Sequence, residues 1–411
     1  MIGTLVEQGV EVYRLDKELH GVTGTQKLVA ATDSRGKKTQ RVAVALPPSQ
    51  GGGEIPAGSY LVFINQPYRQ NVLALFEPQV YPDRTTATGE AERPYDVAGW
   101  TLPMSMGIET PAVISIAEPA TERKLTLIKS ENDVRKDLAL TPWTGDKSPI
   151  ANPIKPGIRV GIYQNSRSGN MDEGWTRYVF DAFNAPFNTL NETSINEASP
   201  RANFDAIILP SEQQRGNPDS DTPNENTRGG LNDRGYVNLA RFVQDGGTLI
   251  CFDGSCGGLI NRWKLPLKNV LQGVRSTDFY CPGSILRIIV DNSNPIARTM
   301  LKETDAFFTN SSAFETTEFQ KPQGDVIASM ASGPAKVIAR YANDNVLRSG
   351  WLRGEEKIKD KVALAEIPSG KGRIVLFAFR PQHRGQTWGT LPFIWNAINL
   401  SGAGTVSAAR P

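Results

Sequence analysis

Four short, almost uninterrupted apolar runs set the tightest limit on the fold of this chain. They are "IRVGIYQ" (158–164), "FDAIILP" (204–210), "TLICFD" (248–253) and "RIVLFAF" (373–379). Strands buried on both faces of a parallel sheet have this composition, because neither face of such a strand meets water. The second half of the chain is therefore predicted to contain a buried, largely parallel sheet.

Between these runs, apolar residues recur at helical spacing. One such set is Trp175, Tyr178, Val179 and Ala182, and a second is Tyr236, Leu239, Ala240 and Val243. Strands that alternate with amphipathic helices are typical of an α/β fold. We predict a doubly wound, mostly parallel sheet over residues 157–403, preceded by a smaller α+β domain.

The first part of the chain is more mixed. Residues 1–109 are predicted to form the α+β accessory domain, and residues 404–411 a tail. Residues 110–156 are predicted to be a strand-containing linker in which "PAVISIAEP" and "KLTLIKS" pair with each other, and which ends in a proline-rich boundary.

Charge and hydropathy restrict the partners. The 411 residues include 45 Lys and Arg against 43 Asp and Glu, so no strong field favours nucleic acid or an anionic membrane. No apolar run approaches the roughly 20 residues of a membrane span. The opening residues lack the basic and apolar regions of a secretion signal. We therefore expect neither a nucleic-acid nor a membrane partner.

Metal chemistry is restricted by the residue counts. The chain has two histidines, His20 and His383, and neither lies in an H-x-x-E or H-E-x-x-H pattern. A catalytic zinc ion usually needs two or three histidines together with carboxylates at fixed spacing. The three cysteines lack zinc-finger spacing as well. No metal site is predicted on this chain.

Cys256 is the first candidate for catalysis, because "DGSCGG" resembles a nucleophile on a strand-to-helix turn. A thiolate there would need a base, and His383 is the histidine that could reach the same edge of the sheet. The position two residues after His383 is Gly385, so no carboxylate is in place to orient the imidazole ring. The alternative, which we favour, is that Cys256 is a small residue in a tight turn.

Asp172 and Glu173 form the second candidate site. They could act as an acid/base pair or bind a cation. The more common reason for acidic residues in the first turn of a helix is that they complement the helix dipole, and we favour that explanation.

A third candidate lies in "RPQHRGQTWG", where Arg380, His383, Arg384 and Trp388 are close in sequence. Together with Asp172 and the 211–230 loop, they could line a crevice suited to a carboxylate or a sugar. Alternatively, they attach the final helix to the sheet, and we favour this explanation.

Several segments occur in an order that resembles a known family. They are "IPAGSYLVFINQPYRQNVLALFEPQVYPD", "RPYDVAGWTLPMSMG", "NMDEGWTRYVFDAF", "FDAIILP", "GGTLICFD", "FYCPGSILRI", "SGWLRGEEKI" and "RIVLFAFRPQHRGQTWGT". Together they resemble the region downstream of the peptidase domain in large bacterial zinc carboxypeptidases of the carboxypeptidase A class. The resemblance runs from about residue 5 to about residue 400.

This resemblance implies that the last part of the chain is a class I glutamine amidotransferase-like domain. It also implies that zinc belongs to a peptidase domain on a separate or missing segment, because no position here matches the family's zinc ligands. Members of the family are generally exported.

Three functions follow. The first is an accessory, non-catalytic region that supports or presents substrate to a zinc carboxypeptidase domain or chain. The second is a cysteine-dependent amidohydrolase that uses Cys256 and His383. The third is a module that binds a small ligand, a peptide or a glycan. We expect the first, in which the chain alone is not an enzyme.

Overall fold

A computed structural model describes residues 1–32, 38–45, 53–140, 150–165, 170–212, 231–319 and 330–401. Over these residues the chain forms an N-terminal region, up to about residue 140, and a larger α/β region. None of the helices in this described part is long and apolar enough to cross a membrane.

The N-terminal region contains short helices and strands. Its helices are α1 (Ile2–Glu7), α2 (Arg69–Phe76), α3 (Leu102–Met106) and α4 (Glu131–Asp137). Its strands are β1 (Val12–Leu15), β2 (Leu19–Thr32), β3 (Lys38–Ala45), β4 (Gly53–Ile55), β5 (Tyr60–Leu61), β6 (Ala112–Ile116) and β7 (Leu125–Ile128).

These strands form two small sheets. In one sheet β1 lies between β5 and β7, and in the other β2 pairs with β3, β4 and β6. The predicted pairing between the strands at 110–118 and 124–130 is wrong. Instead, β6 pairs with β2 and β7 pairs with β1. The apolar side chains of β6 and β7 complete small cores there with residues such as Val12 and Leu15.

The α/β region begins near residue 150. Its helices are α5 (Met171–Ala182), α6 (Glu192–Glu197), α7 (Asp233–Gln244), α8 (Gly254–Arg262) and α9 (Leu391–Asn399). Its strands are β8 (Val160–Gln164), β9 (Asn188–Asn191), β10 (Ala206–Leu209), β11 (Thr248–Phe252), β12 (Leu267–Asn269), β13 (Ser284–Val290), β14 (Glu303–Phe308), β15 (Phe314–Thr316), β16 (Lys336–Tyr341), β17 (Leu347–Ser349), β18 (Val362–Ser369) and β19 (Gly372–Phe377).

Within the described ranges these twelve strands form one sheet, and the α/β class is confirmed. The strands β9, β8, β10, β11 and β19 are parallel neighbours in that order. Beyond β19 the sheet continues through β18, β16, β13 and β14, which pair antiparallel. The sheet is therefore mixed rather than mostly parallel, because an antiparallel block lies between β11 and β19 in the chain.

The parallel strands β8, β10, β11 and β19 are buried on both faces, which explains their continuous apolar sequence. Successive residues of a strand point to opposite faces and belong to two separate cores, as Ile207 and Ile208 do. Helices α5 and α9 cover one face, and helices α7 and α8 cover the other. A tight turn joins β18 to β19, since Ser369 pairs with Gly372.

A small buried network joins the N-terminal region to the sheet. The amide oxygen of Gln79 accepts hydrogen bonds from Ser349 Oγ at 2.7 Å, Thr101 Oγ1 at 2.9 Å and the Trp100 N–H at 2.7 Å. The Gln79 N–H in turn donates to Ser349 Oγ at 2.9 Å. Ser349 and Thr101 are almost fully buried, so these groups depend on one another for their hydrogen bonds.

We predict that Gln79→Leu lowers the free energy of unfolding by about 2–3 kcal/mol, because it leaves buried donors without an acceptor. Urea unfolding measures the change. Gln8→Leu is the matched control, since Gln8 is exposed and accepts one surface hydrogen bond, and it should stay within about 0.5 kcal/mol of the wild type. Equal effects of the two substitutions would contradict the role of Gln79.

Candidate functional site

The turn between β11 and α8, here called the elbow (residues 252–255), is where an α/β fold of this kind would present a nucleophile. Asp253 occupies it, with φ 41° and ψ −106°, a backbone conformation that is strained for a residue with a side chain. Its N–H donates to the Phe377 carbonyl at 2.8 Å. Asp253, rather than Cys256, is therefore the residue at the turn.

Gly254 allows the elbow to pack closely against the end of β10. A Cβ atom at this position would lie 2.4 Å from the carbonyl oxygen of Glu212. The Gly254 N–H donates to Ser211 Oγ at 3.2 Å, which joins the elbow to the residues that follow β10. The sequence feature "DG" directly after an apolar run thus reflects a steric requirement.

Arg380 lies between two buried carboxylates at the elbow. Its Nε is 3.0 Å from Asp172 Oδ1, and its Nη1 is 2.6 Å from Asp253 Oδ2. All three side chains are less than a tenth exposed. Arg380 Nη1 also donates to the Thr309 carbonyl at 2.9 Å, and Ser312 Oγ donates to Asp253 at 3.2 Å. We call this group the Asp172–Arg380–Asp253 cluster.

Burial shifts the protonation of this cluster. It raises the pKa of Asp172 to about 6, although the positive charge of Arg380 acts in the opposite direction. Burial also raises the pKa of Asp253, which Arg380 and the neighbouring serine hydroxyls partly offset. A single guanidinium thus stabilises two carboxylates that would otherwise be isolated from water.

The predicted Cys256–His383 pair is not formed. The thiol of Cys256 donates to the Phe377 carbonyl at 3.3 Å within the core under α7 and α8, and burial raises its pKa well above the usual value. The ring of His383 stacks on Phe307 at 4.0 Å and meets the edge of Trp175, on the α5 side of the sheet. The nucleophile and its proposed base therefore lie on opposite faces.

His383 is also unsuited to take up a proton. Neither ring nitrogen has a hydrogen-bond partner among the described residues. Burial, reinforced by the charges of Arg380 and Arg384, lowers the pKa of His383 to about 3. The side chain is neutral at physiological pH and packs against the rings of Phe307 and Trp175.

The other predicted site residues contact groups of the protein itself. Glu173 pairs with Arg177 one helical turn later. Arg384 Nη1 is 2.9 Å from Asp96 Oδ2 in the N-terminal region. The ring of Trp388 packs on Phe183, with the centroids 5.2 Å apart. The contacts of Arg384 and Trp388 join this segment to the N-terminal region and to the end of α5.

Residues 213–230 of the 211–230 loop lie outside the described residues, as do residues 404–411 of the tail. No group of three or more His, Cys, Asp or Glu side chains within the described ranges is placed to hold a metal ion.

Sequence reasoning missed Asp253, which is the central residue of the site. The signal that could have identified it is its position directly after the apolar run, where the turn must occur. The contribution of Ser312 had no such signal, because it comes from the antiparallel block.

No family model and no curated protein matches this chain. Among solved structures, it is similar to a protein from Parabacteroides merdae described as ThuA-like, at 9% identity and a TM-score of 0.36, covering 62% of this chain and 93% of that one. It is also similar to a β-galactosidase from Bacillus circulans sp. alkalophilus, at 12% identity and a TM-score of 0.34, covering 57% of this chain and 30% of that one. Similarities this low carry no functional argument.

We predict that Arg380→Met lowers the free energy of unfolding at neutral pH by about 3–5 kcal/mol, because two buried carboxylates lose their counter-charge. Arg384→Met is the matched control: the pair with Asp96 is partly exposed, so its loss should cost less than about 1 kcal/mol. Denaturant unfolding of both variants measures the loss of unfolding free energy in each. A cost at Arg380 no larger than at Arg384 would show that the cluster is not stabilised as described.

We predict a pH signature for Asp172. Its pKa is raised from the usual 3.8 to about 6, so the folded chain binds this proton more tightly than the unfolded chain. The stability that this provides is fully present below about pH 4 and is lost as the pH rises through about 6. The stability difference between the wild type and Asp172→Asn should therefore fall by about 3 kcal/mol from pH 4 to pH 7.

Asp205→Asn is the control with the opposite sign. Its partners Arg159 and Arg201 lower the pKa of Asp205 to about 2 despite partial burial. The stability difference between the wild type and this variant should therefore be lost as the pH falls, rather than as it rises. Urea unfolding at several pH values measures both differences, and the same slope for both variants would contradict the analysis.

Proposed function

We propose that this chain is an accessory, non-catalytic region that supports or presents substrate to a zinc carboxypeptidase domain carried elsewhere. In this proposal, the five parallel strands and their flanking helices form a doubly wound, glutamine amidotransferase-like domain without a nucleophile. The observation that carries the proposal is the elbow, where Asp253 is buried and held by Arg380.

Two further observations support the non-catalytic part. A carboxylate with a raised pKa, enclosed and paired with a guanidinium, is poorly placed to attack a substrate. The thiol of Cys256 donates to main-chain carbonyls and is shielded from solvent. The groups that would perform acyl transfer in such a domain are therefore occupied by structural contacts.

The accessory part is supported by the way the chain joins its two regions. The segment around residues 77–107 docks on the sheet through the Gln79 network and through the Arg384–Asp96 pair. The ordered resemblance over both regions indicates that they act as one unit beside a peptidase domain.

We predict that the purified chain binds the zinc carboxypeptidase domain encoded in the same genome and lowers the KM of that domain for peptides, with little change in kcat. Sedimentation velocity and steady-state kinetics measure the two effects. The chain alone should release no ammonia from glutamine, asparagine or peptide amides.

Cys256→Ala is the matched variant, and it should leave both the binding and the kinetic effect unchanged. No association and no kinetic effect would contradict the accessory role. Ammonia release that disappears in Cys256→Ala would contradict the non-catalytic role and favour the amidohydrolase alternative.

A further inference from the structure

A cavity of about 590 Å³ lies between α7 and the residues at the end of α6, and none of the predicted site residues lines it. One wall is formed by residues 197–199, and the other is a face of α7 from Asp233 to Arg241. Pockets that hold small ligands have volumes of roughly 300–1,000 Å³. The size of this cavity and the charged side chains in its lining make it a candidate binding site.

The two walls are held together by close contacts between α6 and α7. Gly235, in the first turn of α7, packs against Asn196, since a Cβ atom at this glycine would collide with Asn196 Oδ1. Asn238 Nδ2 donates to the carbonyl of Ile195 at 2.7 Å and to that of Asn196 at 3.3 Å. Asn238 is only 4% exposed, so these bonds fix the orientation of its amide group. The cavity is therefore formed without a ligand.

The side chain of Asn238 also presents an acceptor at the cavity. Both of its hydrogen bonds use Nδ2, and no donor in the described part of the chain is bonded to Oδ1. Most buried polar groups have a hydrogen-bond partner. Because Asn238 lines the cavity, a bound molecule can supply the missing donor.

Positive charge is concentrated at one end of the cavity. At the first turn of α7, Asp233 pairs with Arg262, and Arg234 Nη2 donates to the Glu197 carbonyl at 3.2 Å. Arg241 is seven residues after Arg234, which places it about 10 Å farther along the helix axis. The cationic end is therefore the one at Arg241.

The guanidinium of Arg241 is available to a ligand. Within the described ranges it forms no ion pair and no hydrogen bond, and Asp245, one turn later, does not pair with it. A guanidinium binds a carboxylate strongly, because two of its N–H groups can donate in parallel. Glu197 and Asp233 also line the cavity, and they oppose a dianion such as phosphate more strongly than a single negative charge.

We propose that the cavity binds a small organic carboxylate that carries a hydrogen-bond donor on the carbon next to the carboxylate. The carboxylate binds Arg241, and the donor, a hydroxyl or an acylated amine, bonds to Asn238 Oδ1. These two residues are three apart on α7, so their Cβ atoms are about 5–6 Å from each other, within reach of one such unit. The apolar part of the ligand packs on Val237 and Ala198, which lie in opposite walls.

This inference is separate from the accessory role, because it concerns binding by this chain alone. The probe is 2-hydroxy-4-methylpentanoate, and isothermal titration calorimetry of the purified chain is the measurement. Its amide, 2-hydroxy-4-methylpentanamide, lacks the charge and should bind at least about tenfold more weakly. The unsubstituted acid, 4-methylpentanoate, lacks the hydroxyl and should bind about threefold or more weakly.

A further ligand distinguishes the two kinds of donor. N-acetyl-leucine has the same carboxylate and branched chain, with an amide N–H in place of the hydroxyl. Tighter binding of N-acetyl-leucine than of the hydroxy acid assigns the site to acylamino acids, and weaker binding assigns it to hydroxy acids. Either order supports the proposal, provided that both ligands bind more tightly than 4-methylpentanoate.

Arg241→Gln locates the site and, because Arg241 is exposed, should not disturb folding. It should weaken binding of the hydroxy acid about tenfold or more. Arg69→Gln removes an exposed arginine of α2 and is the matched control, which should bind like the wild type. Circular dichroism checks that both variants are folded.

Three results would overturn the proposal. The first is that the folded wild type binds neither the hydroxy acid nor N-acetyl-leucine. The second is that the uncharged amide, 4-methylpentanoate or inorganic phosphate binds as tightly as the hydroxy acid and N-acetyl-leucine. The third is that Arg241→Gln binds the hydroxy acid as the wild type does.

Discussion

The pairing of Arg380 with two buried carboxylates is the interaction on which the organisation of the α/β region depends. Asp172 lies in the first turn of α5, Asp253 directly follows β11, and Arg380 follows β19. One guanidinium therefore ties together a helix and two strand ends that are far apart in sequence. Each charge would be costly to bury alone, so burial of any one of them requires that all three elements are in place. The strained backbone at Asp253 is maintained by the same contacts.

The sequence predicted the parallel strands well because their physical situation is simple. Strands β8, β10, β11 and β19 are buried on both faces, so almost every residue in them is apolar. The antiparallel block was not predicted, because its strands carry charges in their interior. Arg287 of β13 faces Asp305 of β14, and such cross-strand pairs interrupt the apolar pattern although the sheet continues.

The candidate site was harder to predict than the fold. The sequence motif around Cys256 drew attention to a residue in the first turn of α8, whereas Asp253, the strained residue of the elbow, lies three residues earlier. Asp172 was explained by the helix dipole, a local effect, but it pairs with Arg380, which follows the last strand of the sheet in the chain. Contacts between residues that are distant in sequence leave no local pattern, which is why sequence reasoning found the members of the cluster without their partnership.

The pairings of β6 and β7 have a consequence for how the chain is made. Val12 lies opposite Ile128, and Gly21 lies opposite Ile116, so β1 and β2 are synthesised well before these partners. Contacts with such long sequence separation slow the search for the native state. During that interval the edges of β1 and β2 that later pair with β7 and β6 are unpaired, and an unpaired strand edge is a site at which chains can aggregate.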